Sequence, residues 1–263
     1  MLRLMAITAH PDDEASNFGG TLRLYADRGV ETFVICLTPG QAGRHRGGAS
    51  SDQALAAMRR QEFATACEIL RVKRAVVLDY PDGRLHRQES YHVACELVRR
   101  IREFRPQVIL TFGPEGGLTG HTDHTMASVL GTLAFHWAGR ANRFPEQLTD
   151  ALEVHQPQKL YYCTARHSLP GYPAVSLSPV TASIEIGDLY RVKLAAFKAH
   201  LTQAPLLPMF EKYVGEQRQE LFHLAASTVA VGQQEMDLFA GIQEAGRVDT
   251  TLDSTQGKLV RSA

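Results

Sequence analysis

Short apolar runs alternate with polar stretches of helical period along the first half of the chain. Residues 2–8 are almost wholly apolar and end in a polar loop, the pattern of a strand buried on both faces of a parallel sheet. Residues 15–28 place Phe18, Leu22, Leu24 and Tyr25 at roughly helical spacing, with Gly29 as the stop. Residues 31–38 are β-branched and apolar and run into Pro39-Gly40, so they predict a second strand. A Gly, Arg and Ser-rich loop spans 41–51, and a helix capped by Ser51 or Asp52 spans 53–70. The same reading predicts strands at 75–78, 106–112 and 159–164, and helices at 89–104 and 125–138.

That βαβα order predicts an α/β fold, a Rossmann-like, mostly parallel sheet with helices on both faces and right-handed crossovers. The later part is less regular. Pro170, Pro173 and Pro179 break 168–179 into loop, 180–186 alternates as an edge strand would, and 189–201 has a helical pattern. From Gln233 the composition turns polar, and 257–263 reads as a frayed end. With no repeat and no linker, residues 1–263 are expected to form a single domain. In it, 1–150 make the core and 151–263 an irregular C-terminal extension that completes the substrate pocket.

Composition narrows the partners. Lys plus Arg and Asp plus Glu both number 28, for a formal net charge of zero, so nucleic acid and anionic membrane are not expected as standing partners. Cys36, Cys67, Cys95 and Cys163 lie far apart in apolar contexts without a Cys-x-x-Cys pair, and read as free buried thiols. The start of the chain lacks the pattern of a secretory signal, and no apolar run reaches the ~18 residues of a membrane span. A cytoplasmic location follows as the expectation.

The polar clusters all fall at carboxyl ends of predicted strands, where open α/β sheets bind ligands. They are His10-Pro11-Asp12-Asp13-Glu14, the loop after Pro39, Tyr80-Pro81-Asp82-Gly83, Gly113-Pro114-Glu115 and Gly120-His121-Thr122-Asp123-His124. Three adjacent carboxylates repel one another unless a cation or several donors offset them. A helix cap at Asp12 or Asp13 accounts for one of them and leaves His10 and the other aspartate unexplained. Residues 121–124 alone could be a polar loop capped by Thr119, Thr122 or Asp123. Taken with His10 and Asp13, they supply a third metal ligand. Catalytic zinc keeps three protein ligands and an open position, and brings the pKa of bound water toward ~7. Asp12, beside a ligand, is then placed to take a proton from that water.

The pairing of Ala9-His10-Pro11-Asp12-Asp13-Glu14 with Gly120-His121-Thr122-Asp123-His124 resembles the signature of the PIG-L (LmbE-like) deacetylases. The resemblance extends to Arg59 and Glu62, to residues 80–83 and to residues 193–203, and so covers roughly 3–203. It implies a zinc-dependent N-deacetylase of an N-acetylglucosamine-type sugar conjugate, with ferrous iron as the alternative metal. By the same resemblance His10, Asp13 and His124 bind the metal and Asp12 is the general base. His121 stabilises the oxyanion and is oriented by Asp123, while Arg59, Asp82 and His200 face the substrate. Thr122 and Thr202 stand where the family more often has Pro and Ser, and neither change removes a ligand or base. Glu14 reads as a support behind a ligand.

Without an apolar N-terminal helix, a small soluble conjugate is expected rather than a glycolipid. Specificity is assigned to 41–51, 85–90 and the region after Ser168, and a homo-oligomer stays open. Two other readings remain. A non-haem iron enzyme would use the same two histidines and carboxylate, although the βαβ order argues against it. A non-catalytic sugar-binding relative would lack a ligand or the base, and none is lacking.

Overall fold

The structure, a computed structural model, describes residues 1–172, 174–215 and 217–242. Pro173 and the expected frayed end at 257–263 lie outside them. Seven strands form one sheet: β1 (Arg3–Thr8), β2 (Glu31–Cys36), β3 (Arg74–Val77), β4 (Val108–Phe112), β5 (Lys159–Thr164), β6 (Ala182–Glu185) and β7 (Gln219–Ser227). Their order across the sheet is β3-β2-β1-β4-β5-β7-β6. The first five are parallel, with Ala6 of β1 opposite Val34 on one side and Leu110 on the other. The helices are α1 (Asp13–Asp27), α2 (Asp52–Ile69), α3 (Ser90–Phe104), α4 (Thr122–Ala138), α5 (Tyr190–Lys198) and the short α6 (Leu207–Phe210). Helices α1, α2 and α5 pack together on one face, and α3 packs on α4 on the other. Strands β1 and β4 are buried almost throughout because they carry helices on both sides.

The chain leaves β1 toward β2 and returns to its far side as β4, so the crevice between the carboxyl ends of β1 and β4 is the switch point of the sheet. Two helices start two or three residues before the sequence expectation, and both carry the motifs. Helix α1 begins at Asp13 rather than residue 15, and α4 at Thr122 rather than residue 125. Asp13 and Glu14 therefore sit in the first turn of α1, and Asp123 and His124 in that of α4, while His10, Asp12 and His121 lie just before these helices. Ser51 rather than Asp52 caps α2, its hydroxyl accepting the Ala54 N–H at 3.1 Å.

Strand β7 has no counterpart in the sequence reading. It runs antiparallel between β5 and β6, leaving β6 at the edge that its alternation predicts. The run does not alternate as a strand should, because the buried Glu220 replaces an apolar inward residue next to Phe222. Glu220 is satisfied there: it pairs with Lys193 Nζ at 2.7 Å and accepts the Gly20 and Thr21 N–H groups at 2.9 and 2.8 Å. Glycine is needed at position 20, since a Cβ there would lie 2.4 Å from Ile186 Cδ1. A second buried pair, Lys159 with Glu235, which also receives the Tyr161 hydroxyl, fastens the segment after β7 to the start of β5. On the opposite face Arg102, 1% exposed, donates to the carbonyls of Ala138, Arg140, Arg143 and Phe144 and to Gln147 Oε1, closing the turn after α4. One hydrophobic core runs through residues from both the first 150 positions and the remainder. No helix among the described residues is long and apolar enough to cross a membrane.

Candidate metal centre

The loop after β1 and the start of α4 meet at the switch point. Asp13 is the hub. Its Oδ2 accepts the N–H groups of Ala9 and His10 at 3.1 and 2.8 Å, so the carboxylate turns back over the loop that carries it. Its Oδ1 lies 3.2 Å from His124 Nε2, and its Oδ2 lies 3.7 Å from His10 Nδ1. The opposite nitrogen of each ring is engaged elsewhere. His124 Nδ1 lies 3.2 Å from the Gly116 carbonyl, and Phe112 stacks on the ring at a centroid distance of 4.0 Å. His10 Nε2 lies 3.0 Å from Asp82 Oδ1 and 3.4 Å from Asp123 Oδ2. Protons on His124 Nδ1 and His10 Nε2 satisfy these acceptors, and in the neutral tautomers so defined the lone pairs of His124 Nε2 and His10 Nδ1 face Asp13.

Two sets of donor atoms each lie within 4.8 Å of one another, His10 with His121 and His124, and His10 with Asp82 and Asp123. The second set is the hydrogen-bonded support of His10. In the first, His121 Nδ1 accepts the Asp123 N–H at 3.2 Å, so the Nε2 of a neutral His121 carries a proton and offers no lone pair. With the His121 Nε2 protonated, Asp13 is the group that stands against both of the other rings, His10 and His124. Electrostatics agree with a cation there. Burial alone would raise the Asp13 pKa, but His124, His10 and the backbone donors hold it well below the ordinary carboxylate range. Asp82 and Asp123 are likewise lowered against their own burial, in each case chiefly by the hydrogen bond from His10. Burial works against charge on His10, yet Asp123, Asp82 and Asp13 push its pKa up to about 10. A buried group of ionised carboxylates that forces a proton onto a histidine is a site that favours a divalent cation.

Asp12 adjoins the hub without joining it. It has φ 113° and ψ −24° and makes no side-chain cap to α1, so the capping account of these carboxylates does not hold. A non-glycine residue with that backbone carries strain on the order of 1–3 kcal/mol. Burial raises the Asp12 pKa to about 6, partly offset by Arg59, whose Nη2 lies 3.1 Å from Oδ2, and reinforced by Asp13. His121, exposed at the cavity, has a lowered pKa from desolvation and from the neighbouring His10 and His124 charges.

Other expected residues are differently employed. The Asp123 carboxylate does not reach His121, which it meets only through its backbone N–H. The carboxylate instead accepts the Gly83 and Leu85 N–H groups at 2.6 and 3.1 Å and holds His10. Arg59 and Asp82 line the cavity, but Arg59 binds the carbonyls of Gly40 and Pro11 at 3.0 and 2.5 Å, and Asp82 binds His10 and the Ala42 N–H. His200 is not on the cavity wall. It is 1% exposed, with its Nε2 2.6 Å from Glu14 Oε1, because Glu14 lies behind the loop rather than in the crevice. Glu62, matched by the resemblance but given no role, accepts the Thr202 N–H and hydroxyl at 2.8 and 2.6 Å and so joins α2 to the chain after α5.

The cavity over the centre measures about 490 Å³. Its lining mixes polar residues, Asn17, Arg44 and Asp82 among them, with apolar ones such as Phe112, Leu169, Phe210 and Leu221. Leu169, Phe210 and Leu221 come from the part of the chain after Ser168, to which the sequence reading assigned specificity.

The family model for GlcNAc-PI de-N-acetylase, PIG-L, matches residues 5–135. The mycothiol S-conjugate amidase of Streptomyces coelicolor is 30% identical over 290 residues, covering 92% of this chain and 98% of the relative. Among solved structures, the N,N'-diacetylchitobiose deacetylase from Pyrococcus horikoshii superposes with a TM-score of 0.68 at 25% identity, over 84% of this chain and 83% of that one. The hydratase GalB from Pseudomonas putida KT2440 gives a TM-score of 0.70 at 18% identity, covering 88% of this chain and 99% of that one, a likeness of fold alone.

Proposed function

The chain belongs to the PIG-L family, and from that premise we propose that it is a metal-dependent hydrolase that removes the N-acetyl group from an N-acetylglucosamine-type sugar conjugate. The observation that carries the reading is the convergence of His10 Nδ1, Asp13 and His124 Nε2, each ring fixed from behind, with a strained carboxylate beside them. Zinc suits this donor set of two imidazoles and one carboxylate. When bound, the cation supplies Lewis acidity, making water nucleophilic near neutral pH and drawing charge from the amide carbonyl.

The chain's own residues do the rest. Asp12, ionised above about pH 6, takes a proton from the attacking water. As the C–O bond forms, negative charge develops on the former carbonyl oxygen. His121, neutral and with Nε2–H free because Nδ1 is occupied, donates to that oxygen. The C–N bond then breaks, Asp12 returns its proton to the leaving amine, and acetate and the free amino sugar result. Arg59 pairs with the Asp12 carboxylate and tethers its loop through the Pro11 carbonyl.

The polar lining residues suit sugar hydroxyls. The apolar ones and the volume, larger than one hexosamine ring fills, suit a conjugate that bears a second, apolar group. Both parts of the chain would act as one catalytic domain, since the sheet and the cavity draw on each. Four unpaired cysteines suit the reducing cytoplasm. The test is acetate release from a panel of N-acetylated amino-sugar conjugates. Activity is expected to vanish on chelation, to return with zinc, and to be absent in Asp12→Ala. Undiminished activity in chelator or in that variant rules the proposal out.

A further inference from the structure

Asp12 stands in a backbone that favours glycine, yet a glycine would have no carboxylate. Something outside the residue must hold it. Its N–H donates to Glu14 Oε2 at 3.0 Å, its carbonyl accepts the Ser16 N–H at 2.9 Å, and the Pro11 carbonyl before it receives Arg59 Nη2. Glu14 is fully buried, and its second oxygen, Oε1, is bound by His200 Nε2 at 2.6 Å. The two oxygens thus have separate partners, one from the strained residue and one from a histidine 186 positions away. The remaining polar atom of this chain of contacts, His200 Nδ1, is buried without a partner. Neither Glu14 nor His200 lines the cavity.

We propose that Glu14 and His200 are positioning residues that hold Asp12 in its left-handed backbone, and so aim its carboxylate at the reacting centre. The inference rests on the reading of Asp12 as the base. Without the Glu14 acceptor the N–H of residue 12 loses its buried partner, and the backbone relaxes toward negative φ, carrying the carboxylate with it. Removing His200 leaves Glu14 held at one oxygen only, so the same relaxation follows to a smaller extent. Gln is the conservative replacement at position 14. Its amide oxygen accepts the Asp12 N–H, and its NH₂ meets an unprotonated Nε2 once His200 moves its proton to the unpartnered Nδ1.

Glu14→Ala, Glu14→Gln, His200→Ala and the double variant Asp12→Ala/Glu14→Ala test this, through kcat and KM, zinc per chain and crystal structures. A displaced catalytic group loses on the order of 10²-fold in rate. Glu14→Ala is expected to lose about that in kcat, with KM and zinc content at wild-type levels, and His200→Ala to lose less. Glu14→Gln is expected to stay within about tenfold of wild type, and the double variant to be no slower than Asp12→Ala alone. The structure of Glu14→Ala is expected to show residue 12 at negative φ. The proposal is overturned if kcat holds, if the loss appears in KM or zinc content, if the losses multiply in the double variant, or if φ stays positive. Should Glu14→Ala not fold, the φ and kcat of His200→Ala decide the matter in the same terms. If Asp12→Ala proves fully active, the function reading fails, while the φ of residue 12 still decides whether Glu14 holds it.

Discussion

Replacing Asp123 by asparagine separates support of the metal ligand from all other features of the site. Asp123 Oδ1 accepts the Leu85 N–H at 3.1 Å, and Oδ2 accepts the Gly83 N–H at 2.6 Å and faces His10 Nε2 at 3.4 Å. Asparagine has one acceptor oxygen, so in either orientation its NH₂ meets a backbone N–H. The better orientation keeps the oxygen toward Gly83 and His10 and leaves Leu85 unpaired, at about 1–3 kcal/mol in stability. His10 then keeps Asp82 at 3.0 Å but loses one of its two anionic partners. Loss of such a support weakens metal binding by ~10–100-fold. With Asp82 still in place, Asp123→Asn belongs near the tenfold end, about 1.4 kcal/mol. Asp123→Ala, which removes every acceptor, belongs toward the hundredfold end. Zinc affinity measured by competition with a chromophoric chelator, and urea unfolding of the metal-free protein, read the two effects independently. Unchanged affinity in both variants would refute the claim that Asp123 acts through His10.

Further outcomes follow from other parts of the molecule. His121→Ala should lower kcat by ~10²–10³-fold with zinc content unchanged, and loss of zinc would instead make His121 a ligand. Arg102→Met removes five donated hydrogen bonds; the Ala138, Arg140 and Phe144 carbonyls keep backbone donors, while the Arg143 carbonyl and Gln147 Oε1 lose theirs, so urea unfolding should show a loss of about 2 kcal/mol or more, with kcat/KM unaffected. In metal-free protein, His10 has its pKa raised from 6.5 to about 10. Its contribution to stability is fully present below pH 6.5 and is lost as pH rises through about 10. Thermal midpoints of chelated protein should therefore fall across that window, and a flat profile would contradict the assignment of His10 to a carboxylate cluster.

The parallel half of the sheet was legible because the strands read at 2–8, 31–38 and 106–112 are buried on both faces and so carry short continuous apolar runs at 4–7, 33–37 and 108–110. Strand β7 was not, because Glu220 answers to Lys193 and to two α1 N–H groups that no local pattern announces. The start of α4 was hidden for a different reason: its cap is His121, a residue outside the usual capping set. At the site, the residues of the two motifs were legible as a group because their spacing is local. Their partners were not. Asp82, Arg59 and His200 were expected to face the substrate, and only the fold shows that His10, the Asp12 loop and Glu14 occupy them. Polar residues that support other polar residues leave no periodic trace in a sequence.

Anomalous diffraction at the zinc edge from crystals grown with zinc tests the central claim most directly. The account predicts one peak, in contact with His10 Nδ1, Asp13 and His124 Nε2, with Asp12 outside coordination distance. A peak between His10 Nε2, Asp82 and Asp123, or one that takes Asp12 as a ligand, would contradict it.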